Sequence, residues 1–193
     1  FSMILGDIDK AESYFADSEN IPGIGEKNAS FSNATLGYLY KSMGSYNKAE
    51  IYLRKYLIVI KNTLGESSLQ YADAIRDLAG ISMGKNNYAR AFELSSKAAN
   101  IYKNIGNTSS DDYIKILLDV DKSAILLGNT KEGKLLSEKL VNHPNIIIKQ
   151  NAHINLRLIS LSLKNYPAAE YHTEEIYKIN RPYGFGDNIS SAN

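Results

Sequence analysis

The sequence has no cysteine, no tryptophan, only four prolines and no long hydrophobic run. Without cysteine there can be no disulfide framework, no thiolate nucleophile and no Cys-based zinc site. The longest apolar stretches, such as Leu57–Ile60, span four or five residues. A membrane-spanning helix needs about 20. These absences exclude a disulfide-stapled domain and a transmembrane helix.

The chain also lacks an excess of charge of either sign, because 22 Lys and Arg face 21 Asp and Glu. A net charge of +1 gives no broad electrostatic footprint of the kind that nucleic-acid-binding or membrane-surface proteins show. We therefore predict neither class of partner. At 193 residues with 44% hydrophobic content, the chain can build a core, which excludes wholesale disorder and fits one domain or one short repeat array.

The first residues are Phe1-Ser2-Met3 and not an initiator Met. We therefore expect a fragment or a processed product from which a targeting segment could have been removed. The absence of cysteine is compatible with both the cytoplasm and an exported location. Of the two compartments, we favour the cytoplasm as the expectation.

A repeat runs through most of the chain. The residues of one unit are matched 42 positions later, again after a further 42, and then after 36. The matched sets are Leu36-Gly37, Tyr40, Gly44 and Ala49; Leu78-Ala79, Ser82, Asn86 and Ala91; Val120-Asp121, Ala124, Gly128 and Gly133; and Leu156-Arg157, Ser160, Lys164 and Ala169. The last residue of each set is small, which predicts a close crossing of helices at that position.

Each unit has the apolar spacing of two helices joined by a short turn. Ser45, Asn87 and Asn129 precede the second helices and are predicted N-caps. The pattern predicts an all-α chain of about nine helices with almost no strand. Their expected ranges are 4–17, 29–43, 46–63, 69–84, 87–104, 110–127, 130–141, 146–163 and 166–179.

The first full unit, Leu36-Gly37-x-x-Tyr40-x-x-x-Gly44-x-Tyr46-x-x-Ala49-Glu50-x-Tyr52, resembles a tetratricopeptide repeat (TPR). Its extension over 64–72 resembles the longer type found in kinesin light chains and in many bacterial multidomain proteins. The resemblance covers about residues 4 to 180 and implies a right-handed superhelical α-solenoid of antiparallel helix pairs.

The expected organisation is one repeat array over 1–180 and a C-terminal tail over 181–193. Within the array, a half repeat at 4–17 precedes full repeats at about 29–65, 69–106, 110–142 and 146–180. The half repeat lacks the helix that would come before it, so its apolar flank is expected to be unpaired. That flank favours a piece of a longer array.

A search for reactive groups finds no catalytic arrangement. His143, His153 and His172 show no metal-binding or triad spacing, and we predict that they lie on the surface or in loops. The two G-x-G pairs, at Gly23 and Gly184, lack a third glycine and a preceding strand, so neither predicts a phosphate site. We therefore predict no catalytic residue, no metal, no cofactor and no enzymatic activity.

The resemblance implies that the first helix of each unit lines a concave groove. Several of the matching positions carry side chains that could contact a peptide through ion pairs, hydrogen bonds or an aromatic platform. The candidate partner-binding residues are Tyr38, Lys41, Asp73, Arg76, Asp77, Lys115, Asp119, Lys122, Asn151 and Asn155.

Three functional interpretations stay open at this point. The leading one is a non-enzymatic scaffold that binds a protein, a peptide or another domain of its own chain through the groove. The second is a regulatory or sensing arm of a larger bacterial enzyme or signalling protein, such as a protease or kinase. The third is a structural segment that associates with itself through its end repeats.

Overall fold

The computed structural model describes residues 10, 13, 14 and 25–183, and this part of the chain contains helices and no strand. The helices are α1 (Gly25–Ser42), α2 (Tyr46–Leu64), α3 (Leu69–Gly84), α4 (Tyr88–Asn104), α5 (Asp111–Leu126), α6 (Lys131–Leu140), α7 (Ile146–Ser162) and α8 (Tyr166–Asn180), followed by a 3-10 turn at Arg181–Tyr183.

The predicted helices from 46 onward all begin and end within one residue of the observed ones, so the all-α prediction is confirmed. The difference is in α1, which begins at Gly25 and not at 29. The predicted helix at 4–17 lies outside the described residues, apart from positions 10, 13 and 14. Of the predicted tail, residues 184–193 lie outside them as well.

One backbone turn recurs at the end of α1, α3, α5 and α7. At the same repeat position, Gly44, Asn86, Gly128 and Lys164 all adopt positive φ, between 56° and 96°. The N–H of the next residue donates to a carbonyl five residues back, as in Ser45 N to Tyr40 O at 2.9 Å and Asn165 N to Ser160 O at 2.8 Å. These are the bonds of a Schellman motif, which satisfies the last carbonyls of a helix. The repeat is therefore present in the backbone as well as in the sequence.

The predicted N-caps are only partly correct. Ser45 occupies the cap position of α2 but makes no side-chain cap bond, and the cap of α6 is Thr130, one residue after the predicted Asn129. Side-chain caps instead form at Ser68, Ser110, Asn145 and Asn165, each of which accepts a hydrogen bond from a backbone N–H of the first turn. Short polar side chains satisfy orphan donors wherever the preceding loop brings them to the helix in a suitable geometry.

The chain divides into two compact units, residues 1–87 and residues 88–193. In the first, α2 packs against α1 and α3, and the core is built around Leu36, Leu53 and Ile75. In the second, α7 packs against α5, α6 and α8, and its core includes the cluster of Ile125, Leu156 and Ile159. The boundary falls inside the predicted second full repeat, and the single array over 1–180 stays a prediction.

Three of the four small residues that end the matched sets are buried, as expected, and the burial of the fourth, Gly133, is not described. Ala49 and Ala91 are fully buried, and Ala169 is 5% exposed. The backbone of α1 at Gly37 also lies close to α2, because a Cβ built on Gly37 would lie 2.6 Å from Cγ of Leu53. Close approach of α1 and α2 therefore depends on the absence of a side chain at this position.

We expect Gly37→Ala to lower the free energy of unfolding by roughly 1–2 kcal/mol. The added methyl group would overpack the α1–α2 contact at Leu53. That penalty outweighs the gain of about 1 kcal/mol in helix propensity when Ala replaces Gly. Urea denaturation of both proteins measures the difference.

Gly80→Ala is the matched control, because Gly80 lies inside α3 and its Cβ would meet only the end of the Lys41 side chain, 3.0 Å from Nζ, which can shift by a few tenths of an ångström. This variant should be unchanged or more stable, by up to about 1 kcal/mol. Equal effects of the two substitutions would contradict the packing role of Gly37.

A second prediction concerns the turn between α7 and α8. Lys164 has φ of +56°, which costs energy for a residue with a side chain. We expect Lys164→Gly to raise the free energy of unfolding by about 0.5–1 kcal/mol, because glycine adopts this conformation readily, although it is more flexible when unfolded. Gly128→Ala, at the same position one repeat earlier, should do the opposite. Changes of the same sign in the two urea midpoints would refute the explanation.

Candidate functional site

The predicted groove residues of the first unit lie on two helices, Tyr38 and Lys41 on α1 and Asp73, Arg76 and Asp77 on α3. Lys41 Nζ donates to Asp77 Oδ1 at 2.9 Å, and the Tyr38 hydroxyl donates to the same carboxylate. These contacts join the first helices of two successive repeats. Lys41 and Asp77 are both partly exposed, so the pair lies at the protein surface.

Two tyrosines surround the carboxylates of this site. Burial, then the charge of Asp77 and its hydrogen bond, raise the pKa of Tyr38 well above its ordinary value, and Asp73 adds to the effect. Burial and the same two carboxylates also raise the pKa of Tyr56 on α2. Both hydroxyls therefore stay protonated, and that of Tyr38 donates to Asp77. We call Tyr38, Lys41, Tyr56, Asp73 and Asp77 the Tyr38 cluster.

The surface of α1 next to this cluster carries exposed aromatic rings. Phe31 is 70% exposed and Tyr38 is 43% exposed. Residues seven apart fall on the same face of a helix, so the two rings form a short aromatic stripe along α1. Aromatic rings that a fold leaves in solvent are common in surfaces that bind other chains.

The predicted residues of the second unit behave differently. Lys115 on α5 pairs with Asp112 of the same helix, at 3.0 Å. Asp119, Lys122 and Asn151 are partly exposed on α5 and α7.

Asn155 is only 1% exposed, and its amide nitrogen donates to the carbonyl of Leu118 at 3.2 Å. This side chain belongs to the packing between α5 and α7, and we leave it out of any proposed surface. A polar residue type alone does not tell a surface position from a hydrogen bond across a helix contact.

The prediction that the histidines lie on the surface or in loops is wrong for His153. This residue is in α7, is 3% exposed, and has its Nδ1 atom 3.1 Å from Nδ1 of His172 in α8. His153 lies 11 residues before Lys164 and His172 lies eight residues after it. The position of the turn therefore indicates that the two residues lie on neighbouring antiparallel helices, but it does not indicate that their rings meet.

Burial lowers the pKa of both imidazoles. Lys149 lowers the pKa of His153 further, and His153 does the same for His172. Glu175 opposes both shifts, and the carbonyl of Val141, which accepts a hydrogen bond from the His153 ring, opposes the shift of His153. The pair is therefore neutral at pH 7, with one ring as donor and the other as acceptor.

The histidine pair borders a cavity of about 350 Å³ in the second unit. Its walls come from α6, α7, α8, the loop that follows α6 and the turn between α7 and α8. The lining residues are Lys134, Glu138, Val141, His153, Leu156, Ile159, Ser160, Leu163, Asn165, Ala168, Tyr171 and His172. No sequence signal singled out this cavity, because it depends on the spacing between helices.

Among the described residues there is no group of three or more His, Cys, Asp or Glu side chains that could hold a metal ion. None of the helices in that part of the chain combines the length and the hydropathy needed to cross a bilayer. The predicted absence of enzymatic activity stays a prediction.

Neither protein-family models nor curated proteins match the chain. Solved structures do. BtubC (BKLC) from P. vanneervenii superposes with a TM-score of 0.70 at 16% identity, covering 95% of this chain and 77% of that one. A candidate kinesin light chain from Podosopora anserina with nearly identical TPR-like repeats gives 0.65 at 13% identity, over 95% and 90% of the two chains. A point variant of that Podosopora protein gives 0.68 at 14% identity, over 95% and 89%.

These similarities confirm the predicted TPR-like, all-α solenoid fold. At such low identity they concern the fold alone. The residues that bind a partner have to be argued from the surface of this chain.

The histidine pair generates a prediction about pH. Because its folded-state pKa values lie below the ordinary 6.5, the unfolded chain binds protons more readily than the folded one. The contribution of the neutral pair to stability is fully present above the unfolded-state pKa, and it is lost as the pH falls from there through the lower folded-state pKa values. We therefore expect urea midpoints to decrease between about pH 7.5 and pH 5.5.

The variant His172→Phe should flatten this profile, because it removes one titrating group and the repulsion between two charged rings. A decrease of the same size in the variant would show that other groups cause the pH dependence.

Proposed function

We propose that the chain is a protein-interaction scaffold, and that the face of the first unit formed by α1 and α3 binds an extended peptide. The observation that carries this proposal is the exposed stripe of Phe31 and Tyr38 beside the Lys41–Asp77 pair. Apolar contact area and polar partners occur together there, at the positions where the TPR resemblance implies a groove.

The chemistry of this face suits a peptide backbone. Asp73 is exposed and Asp77 is partly exposed, and carboxylate oxygens accept more than one hydrogen bond, so both can accept peptide N–H groups. The Tyr38 ring offers a flat contact with a polar tip. Lys41 is held by Asp77, which reduces the side-chain entropy lost when a partner carbonyl or carboxylate binds to it.

The second unit offers a separate set of predicted contacts. Lys115, Asp119, Lys122 and Asn151 are partly exposed on α5 and α7. They are mixed in charge, as are the residues of the first unit, so the proposed partner is a peptide of balanced charge and not a polyanion. That partner is a segment of another protein or of a further domain of the same chain.

The proposal is tested by selecting peptides of about twelve residues from a random phage-displayed library against the full chain. Their affinities for the chain and for Tyr38→Ala are then measured by fluorescence anisotropy. We expect the variant to bind the selected peptides roughly tenfold more weakly or worse, because buried aromatic anchors dominate such interfaces.

Tyr166→Ala is the control, since Tyr166 is 64% exposed on α8 in the other unit. This variant should bind the peptides unchanged. A charge-swapped double variant, Lys41→Asp with Asp77→Lys, keeps the ion pair and should alter which peptides bind. Peptides that bind the chain and Tyr38→Ala equally would overturn the assignment of this face.

A further inference from the structure

The cavity beside His153 and His172 has the features of a small-molecule site. Its volume of about 350 Å³ lies in the range of ligand pockets, which are mostly apolar with a few convergent polar groups. The apolar part of its wall comes from Val141, Leu156, Ile159, Leu163 and Ala168. The Tyr171 ring stands edge-on to His172, with ring centroids 5.1 Å apart, and adds an aromatic edge.

The surroundings of the histidine pair favour one assignment of its two ring protons. The Val141 carbonyl acts on the His153 ring as a hydrogen-bond acceptor, and Nδ1 of His153 faces Nδ1 of His172 at 3.1 Å. We therefore assign the proton of His153 to Nε2, which makes its Nδ1 an acceptor for Nδ1–H of His172. The Nε2 atom of His172 is left with a lone pair, so the chain of hydrogen bonds ends in an acceptor.

The charges around the cavity balance. Lys134 and Glu138 face each other at 3.8 Å on α6. Near the imidazoles, the negative charge of Glu175 on α8 raises the pKa of His153, and the positive charge of Lys149 on α7 lowers it. With both rings neutral, the site offers no net charge to a ligand and favours an uncharged one.

We propose that this cavity binds a small neutral aromatic molecule that carries one hydrogen-bond donor, of the indole or phenol class. The ring fills the space between the apolar side chains, and its N–H or O–H donates to Nε2 of His172. This inference is independent of the proposed peptide-binding face, because the cavity shares no residue with the Tyr38 cluster or with the other predicted groove residues.

Indole is the probe for a direct test, because the protein contains no tryptophan and adds no indole fluorescence of its own. Titration of indole with the full chain, followed by fluorescence anisotropy, should show saturable binding with a Kd below about 1 mM. The matched ligand 1-methylindole has the same ring and no donor. It should bind at least roughly tenfold more weakly, because it leaves the imidazole acceptor unpaired.

Two variants locate the site. Ala168→Leu should abolish binding by filling the cavity, and His172→Phe should remove the preference for indole over 1-methylindole. Ala89→Leu, at an exposed position on α4, is the control and should bind as the unchanged chain does.

A measurement on the unchanged chain keeps the test decisive if a variant fails to fold. In ¹⁵N-labelled protein, indole should shift the imidazole resonance of His172 Nε2 and leave His153 in the Nε2–H form. The proposal is overturned by the absence of saturable binding, by equal affinity for indole and 1-methylindole, or by binding that leaves His172 Nε2 unchanged.

Discussion

The turn that closes each helix pair is the constraint on which the rest of the structure depends. At Gly44, Gly128 and Lys164, each of which lies inside one of the two units, the chain adopts a left-handed conformation and reverses direction after the same two hydrogen bonds. Once this turn is formed, it determines which residues of the first helix contact which residues of the second helix. This is why small residues recur at the crossings and why Gly37 can lie against Leu53. The turn is not restricted to glycine, because Asn86 and Lys164 adopt the same left-handed conformation.

Both candidate sites follow from this arrangement in different ways. The Tyr38 cluster forms because first helices of successive repeats lie near each other, which allows Lys41 on α1 to reach Asp77 on α3. The histidine cavity forms where the short helix α6 and the helix pair of α7 and α8 leave space between them. The Tyr38 cluster offers charges of both signs, whereas the histidine cavity offers a neutral hydrogen-bond acceptor. The two sites therefore suit different ligands. The two proposals therefore concern separate binding events on one chain.

Much of the fold could be predicted because small residues and turn residues recur at regular intervals in the sequence. These local signals determine where the helices begin and end, with little influence from distant contacts. The predicted ends of α2 to α8 show this. The sites were less predictable. The repeat placed Lys41 and Asp77 among the groove residues of successive repeats but could not show that they bind each other, since rotamers decide that contact. Residue type also marked Asn155 and His153 as polar and therefore exposed, although partners across a helix contact satisfy both side chains.

The hydrogen bond from Asn155 to the Leu118 carbonyl has a consequence for how similar repeats avoid mispairing. Apolar ridges of one helix would fit those of another almost equally well after a shift of one turn. A buried amide that must find one particular carbonyl makes the shifted arrangement costly, because a slip would strand it without a partner. The hydrogen bond from Asn155 therefore favours the observed register of α7 on α5. In a chain built from similar repeats, one buried polar group in an apolar helix interface can select a single register.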